Sequence, residues 1–344
     1  MSNNLPQPIQ TRLKLLFGKS GVDVTEDMTP DIKSFSYDDK ESNEADEISI
    51  TLKDTDGKWA GSWTPDGGEV VKAYILPGTT QKATGRLYCG KFYVDDIDIN
   101  ISPREVTIKA VSIPLNTTIR RKLKSKAWEA KDLKGIAREI ANNAGLKLLF
   151  DCESNPQYDR QDQSRESDLK FLSKLCEDAG ISIKVTDTQL VLFDQSHYEK
   201  KKPIKTLELN KSNILSGNFS AAQSETYKSC VIKYRDPQTR VVHNYTYVDP
   251  IADENGQEYS MKARASSLDE AKRLAKAKLR KLNCRKITGN MTVIGDIDLI
   301  AGVVIECKGI GKKFNGRYII ETANHTVSGG YTTSLSLRKV NSNY

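Results

Sequence analysis

The chain of 344 residues is poor in the residues that carry most protein chemistry. It has only three histidines (His197, His243, His325), and its six cysteines (Cys89, Cys152, Cys176, Cys230, Cys284, Cys307) lie far apart, with no C-x-x-C pair. A zinc site needs imidazole and thiolate groups at ligand spacing, and a small disulfide scaffold needs a dense cysteine framework, so neither is indicated. Free, mostly buried thiols are expected instead. No stretch approaches the roughly 20 continuous apolar residues of a membrane span. The opening MSNNLPQPIQTRLKLLFG lacks the basic and apolar regions of a signal peptide. Synthesis in a cytoplasm without membrane insertion is therefore expected. Nor is there a strong excess of one charge: 52 basic residues face 45 acidic ones, for a net charge of +7. Because the signs are interspersed, this balance permits acidic partners without demanding nucleic acid.

What is present is β-rich. The length predicts two or three domains. From Leu13 to Ile113 short strands alternate with turns. Ile48, Ile50 and Leu52 alternate with polar residues, as do Val106, Ile108 and Ala110, the period of a strand with one buried face. Near Pro114 the rhythm becomes helical. Leu133, Ile136, Ala137, Ile140, Ala141 and Ala144 form one stripe ahead of Gly145, and a second helix is expected from about Glu166 to Ala179, ahead of Gly180. Short strands are expected at Leu146–Phe150, Ile181–Val185 and Gln189–Phe193. The run Glu199 to Pro203 has no apolar anchor and reads as a linker. Beyond it strands are expected at Ile214–Ala221, Tyr227–Tyr234, Val241–Val248, Gly289–Val293, Val303–Cys307, Gly316–Asn324 and Tyr331–Arg338. One helix interrupts them over 266–283, with Ser267 and Glu270 as a capping box. The fold class is thus a β-rich α+β protein, with two antiparallel barrel or sandwich domains (1–115 and 203–344) flanking a small α+β insert (116–202).

Each cluster that could carry chemistry has a plainer reading. Asp96, Asp98 and Asn100 in DDIDIN alternate with Ile97, Ile99 and Ile101, and so form the wet side of an amphipathic strand. Asp54-Thr-Asp56-Gly57 and Asp253-Glu-Asn255-Gly256 fail the twelve-position calcium loop and read as turns. Gly309 to Gly316 is glycine-rich and basic, but its register fits neither a dinucleotide loop nor a P-loop, so a hairpin connection is expected. His325, with Cys307 and Ser328 near it in sequence, invites a nucleophile reading. No nucleophile elbow accompanies it, and a place in the turn between the last two strands is expected. No catalytic, cofactor-binding or metal-ligating residue is therefore assigned. The candidate partner surface is the basic helix, through Lys272, Arg273, Lys276, Arg280 and Lys281, which could meet a negatively charged cargo or line a channel. The alternative is a solvated helix face.

Three passages carry a resemblance: IKSFSYDDKESNEADEISITLKDTDGKW with VVKAYI, SRESDLKFLSKLCEDAG, and FNGRYIIETANHTVSGGYTTSLSLRK. Together they resemble the phage late-control gene D family, and within it the XkdQ-like baseplate hubs of contractile phage tails and R-type, tail-like bacteriocins. The resemblance implies a homotrimeric hub, in which two tube-like domains per chain adapt a sixfold tail tube to a threefold spike. It also implies a separate spike protein, a tail tube protein, baseplate wedge proteins and a tape-measure protein as partners, and a place in the baseplate of a virion or tail-like particle. Glu166, Ser167, Asp168, Leu169, Phe171 and Leu172 match the insert motif. Gly316, Tyr318, His325, Gly330, Tyr331 and Thr332 match the closing hairpin, and all twelve are expected to be structural. Two readings from other classes compete: a nucleic-acid-binding protein using 268–283, and a particle-borne cell-wall hydrolase using His325.

Overall fold

The computed structural model describes residues 11–42, 44–78, 85–113, 118–222, 226–235, 239, 241–249, 256–262 and 267–340. The Asp253–Asn255 part of the expected second turn and the Pro114 boundary lie outside them. In chain order the first strand-rich unit comprises β1 (Arg12–Phe17), β2 (Val22–Asp23), a short helix α1 (Thr25–Met28), β3 (Ile32–Lys40), β4 (Glu47–Lys53), β5 (Val70–Leu76), β6 (Leu87–Ile101) and β7 (Arg104–Val111). The alternation read from the sequence places Ile48, Ile50, Leu52, Val106, Ile108 and Ala110 in one buried cluster with Leu15, Phe35 and Phe92.

The insert follows as α2 (Thr118–Arg121), β8 (Lys124–Asp132), α3 (Leu133–Asn143), β9 (Lys147–Asp151), β10 (Gln157–Glu166), α4 (Asp168–Ala179), β11 (Ser182–Val185), β12 (Gln189–Phe193) and α5 (Gln195–Glu199). The predicted stripe of α3 is buried at Leu133, Ile136, Ala137, Ile140 and Ala141, against Phe171, Leu172 and Leu175 of α4. Asp132 caps α3 by accepting from Gly135 N at 2.7 Å. Gly180 closes α4 with φ +71, a left-handed conformation that costs glycine nothing. The insert has two sheets. One is β11-β12-β9, with β12 parallel to β9. The other, the antiparallel pair β8–β10, was not expected from the sequence.

The remainder holds β13 (Lys205–Glu208), β14 (Ile214–Ala221), β15 (Tyr227–Arg235), β16 (Val242–Val248), β17 (Gln257–Lys262), α6 (Leu268–Asn283), β18 (Ile287–Ile294), β19 (Val304–Lys308), β20 (Gly316–Val327) and β21 (Tyr331–Lys339). It contains two separate cores. One lies under β14, β18, β20 and β21 and includes Met291, Ile305, Tyr318, Ile320 and Leu337. The other is small, with Cys230 and Ile232 of the β16-β15-β17 sheet against Ala271, Ala275 and Leu279 of α6.

The two large strand-rich units share one sheet. Its order is β14-β18-β21-β20-β3-β4-β7-β6-β5-β1-β2, with β19 and β13 attached at β20. The join is the antiparallel pairing of β20 with β3, from Thr322↔Lys40 to Val327↔Phe35. Asn324 Nδ2 donates to Asp38 Oδ1 at 2.6 Å across this seam.

Four sequence expectations change. His325 is a strand residue, because β20 runs on to Val327 and the turn begins at Ser328. Glu166 ends β10, and the second helix starts at Asp168. Glu199 is no linker residue, being only 4% exposed and paired with two arginines. The isoleucine side of DDIDIN is only partly covered among the described residues: Ile97 packs against the first core, but Ile99 is 53% and Ile101 86% exposed.

Candidate functional site

The insert motif builds a helix start. Ser167 Oγ accepts from Lys170 N at 3.3 Å, satisfying one of the amides a helix leaves unpaired at its N-terminus. Asp168, 2% exposed, receives Gln163 Nε2 at 2.9 Å and pairs with Lys124 of β8. Its negative charge sits at the positive end of α4. Glu166 is bridged by Lys174 Nζ at 2.6 Å. Phe171 and Leu172 are buried, with Phe171 stacked on Trp128 at 6.0 Å, and Leu169 lies against the same core. All six residues lie at this helix start or in the core beneath it.

The basic helix buries one stripe and pairs several of its cations within the chain. Ser267 caps α6 by accepting from Glu270 N at 3.2 Å, and Ala271, Ala275 and Leu279 bury one stripe. Arg273 Nη1 donates to Ser154 Oγ of the insert at 3.3 Å. Lys281 pairs with Glu177 of α4. Arg280 Nη2 lies 2.8 Å from Glu199 Oε1 of α5. Lys276 is exposed and within electrostatic reach of Glu153, while Lys272 pairs along the helix with Asp269 at 3.4 Å. Three of the five candidate cations thus tie α6 to the insert, Arg280 and Lys281 by ion pairs and Arg273 through a serine hydroxyl.

Two buried charge clusters lie where the units meet; Asp39, Glu41, Asp46, Arg317, Glu321 and Arg338 fall within the resembling passages, but none was singled out there. In the first, Arg338 of β21 is 1% exposed. Its Nη1 is 2.8 Å from Glu199 Oε1, at ion-pair distance but without hydrogen-bond alignment, and its Nε donates to Glu321 Oε1 at 3.2 Å. Arg317 Nη2 fastens the same corner by donating to the Glu199 carbonyl at 2.6 Å. Glu41, at the end of β3, receives Gln195 Nε2 at 3.1 Å. Burial pushes the Glu41 carboxyl up to about 7; Arg338 opposes the rise, while Glu321 and Glu199 add to it.

In the second cluster, Lys184 of β11 reaches from the insert into the first strand-rich unit. Its Nζ lies 3.0 Å from Asp39 Oδ1 and 3.3 Å from Asp46 Oδ1, and it donates to the Lys40 carbonyl at 2.7 Å. The other Asp39 oxygen accepts from Ala301 N at 2.8 Å, so one carboxylate touches all three parts of the chain. Burial pushes the Asp46 carboxyl up to about 6, against the pull of Lys184. These contacts join the insert to both strand-rich units.

His325 is fully buried in β20, between the rings of Tyr37 (5.9 Å) and Tyr331 (6.0 Å). Its Nδ1 is 2.9 Å from Tyr331 Oη and 3.3 Å from Thr333 Oγ1. Cys307 and Ser328 are not among its partners. Burial pushes the Cys307 thiol up to about 12, and Ser328 Oγ donates to the Lys33 carbonyl at 3.3 Å. Burial also lowers the His325 pKa from 6.5 to about 4, so the folded chain holds the neutral ring while the unfolded chain protonates it first. The unfolded state then binds more protons between those limits, and stability falls as pH drops from 6.5 toward 4. Relative to His325→Gln, the wild type should lose about 3 kcal/mol across that window. Urea unfolding of both chains at several pH values checks this, and a pH-independent difference would contradict it.

The rest of the closing motif lies in the last two strands and the turn between them. Tyr318 is buried and donates to the Phe314 carbonyl at 2.6 Å. Gly316, at φ +136, opens β20 close beside Lys339. Gly330 lies in the β20–β21 turn, where its carbonyl accepts from Ser328 N at 2.9 Å, and Thr332 pairs across to Thr326. The glycine-rich loop before β20 is a hairpin connection, with Asn315 Oδ1 accepting from Ile310 N at 3.0 Å and Gly311 N at 3.3 Å. Asp54 Oδ1 likewise accepts from Trp59 N at 2.8 Å and serves its turn. Among the described residues no group of three or more His, Cys, Asp or Glu is placed to hold a metal, and no helix is long and apolar enough to cross a membrane.

This arrangement of units is shared with known tail proteins. The tail protein from Neisseria meningitidis MC58 superposes with a TM-score of 0.70 over 96% of both chains at 14% identity. The 43 kDa tail protein of prophage MuSo2 from Shewanella oneidensis does so with a TM-score of 0.70 at 12% identity, over 96% of this chain and 98% of that one. In sequence, the probable baseplate hub protein of Escherichia phage P2 is 27% identical over 222 residues, which cover 63% of this chain and 55% of the relative. The match therefore spans about half the length of that curated relative. The model of the family described as phage tail baseplate hub (GPD) matches residues 104–331, from the start of β7 to the first residue of β21. That stretch holds the insert, α6 and most of the second strand-rich unit, and by it the chain belongs to the phage tail baseplate hub (GPD) family.

Proposed function

We propose that the chain is the structural central hub of a contractile tail or tail-like injection particle, a homotrimer adapting a sixfold tail tube to a threefold spike. The observation that carries this reading is the β3–β20 pairing, which puts two strand-rich units of one chain into a single sheet. Three chains then supply six such units around an axis, while the insert and α6 add one threefold set. The charge clusters at Arg338 and Lys184 support the same role, since they lock the units together and leave little freedom between them. The proposed role is non-enzymatic. Its partners are a spike protein, a tail tube protein, wedge proteins and a tape-measure protein, met after synthesis in a bacterial cytoplasm.

Native mass spectrometry of the purified chain, alone and with the spike protein of the same particle, tests the proposal. The expected species is a trimer, free or capped by spike. A chain that remains monomeric and binds neither spike nor tube would overturn it.

A further inference from the structure

Resting on the hub reading, we infer that neighbouring copies join edge to edge through two specific strands, the outer half of β6 in one copy and β14 in the next. The first of these is a strand left half unpaired. β6 pairs with β5 only from Leu87 to Tyr93, whereas it pairs with β7 as far as Ile101. Among the described residues no strand lies along its other edge from Asp96 to Ile101. A register shift between Val94 and Asp96 sets the faces beyond it: Ile97 and Ile99 stand opposite Ile108 and Val106, both buried. The isoleucine stripe Ile97, Ile99, Ile101 therefore continues the core face past the end of the core, and this explains why Ile99 and Ile101 are exposed. Asp96 and Asp98 on the outer face are held by Lys109.

The second edge is β14, which pairs with β18 alone. Its sequence ILSGNFSA has no charge and no proline, the devices that usually blunt an exposed strand. Gly217 and Phe219 stand opposite Met291 and Gly289 on the core face, while Ser216, Asn218 and Ser220 face outward. The two strands therefore match face for face. Isoleucines meet Gly217, Phe219 and Ala221 on the core side. Aspartates and Asn100 meet short hydroxyl and amide side chains outside. Because the patches differ, the contact is heterologous, and a heterologous contact either closes a ring or runs on as a filament. A closed ring of three chains makes one uninterrupted sheet around the axis.

The inferred pairing centres the two segments on each other, which places Asp98 opposite Asn218 on the outer face in either strand orientation. In the chain carrying both Asp98→Cys and Asn218→Cys, mild oxidation should link copies into covalent trimers, with a 98–218 disulfide found by peptide mapping. Neither single variant should link to itself at that position. Ile99→Lys, which puts a charge on the apolar stripe, should leave the circular dichroism spectrum unchanged and weaken self-association at least about tenfold. A wild-type trimer whose double variant gives no 98–218 linkage, or an Ile99→Lys chain that still trimerises at wild-type strength, overturns this pairing and leaves the hub reading intact. A wild type that is monomeric and binds no spike overturns both.

Discussion

Arg338→Met should lower the unfolding free energy by about 3–5 kcal/mol, the range expected when one member of a buried ion cluster is removed and its partners are left charged. Methionine keeps much of the volume, so the loss is electrostatic rather than a cavity effect. The orphaned groups are Glu199 and Glu321, with Glu41 beside them. The pH dependence follows from the Glu41 pKa, raised above the 4.5 of an ordinary glutamate to about 7. A raised carboxyl contributes stability that is present below its unfolded pKa and is lost as pH rises through the folded one. Without Arg338 that rise grows, so the variant should lose more at about pH 8 than at about pH 5. Urea unfolding followed by tryptophan fluorescence measures both quantities. Adding Glu199→Gln should restore part of the loss, with a coupling of about 1 kcal/mol or more. A single-variant loss below about 1 kcal/mol would mean that the cluster is relaxed by solvent.

Lys184→Met should be the next most damaging change, at about 3 kcal/mol, reduced from the fully buried value because the lysine side chain is 22% exposed. It leaves Asp39 and Asp46 facing each other without a cation, and it removes the tether between β11 and the β3 end of the first unit. The effect should therefore be local as well as global. Limited proteolysis should open the insert before the shared sheet, and hydrogen exchange should quicken in β11 and β12 ahead of β3 and β20. Asp39→Asn in the same chain should recover part of the stability, since the amide can still receive Ala301 N. Cleavage that began within the shared sheet would count against this order of events.

How much of this could be read from residues depended on how each element announces itself. The stripes of α3 and α6 and the alternation of β4 and β7 are periodic, and they were legible. Strands β8 and β10 were not, because KSKAWEAKD and QYDRQDQSRE have almost no apolar alternation and are held as a two-stranded pair with Trp128 inward. Glu199 looked like linker because charge runs usually stay in water, and nothing nearby in sequence shows that Arg338 lies over it. The basic residues of α6 were legible as a face. Their partners on the insert were not, since Glu177 and Glu199 belong to other elements and meet α6 only through the tertiary fold. Ile99 and Ile101 gave the opposite error: alternation located the apolar face, but only the start of β5 at Val70, opposite Tyr93, reveals that no strand among the described residues continues beside it. The likeness of the insert and closing passages to one family was the most informative signal, and in this chain those passages hold core and cap residues such as Ser167, Phe171, Leu172 and Tyr318.

The pairing of β3 with β20 also sets a schedule for the ribosome. Asp38 and its hydrogen-bond partner Asn324 are separated by 286 positions. The edge of β3 emerges early and stays without its partner until nearly all of the chain has been translated. At about 5–20 residues per second that wait lasts some tens of seconds. Throughout it, an exposed strand edge is free to zip onto a neighbouring nascent chain. Messages that load many ribosomes at once should therefore yield more insoluble product than sparsely loaded ones, and a chain cut short before β20 should be cleared by the cell or aggregate rather than persist as a half-built unit.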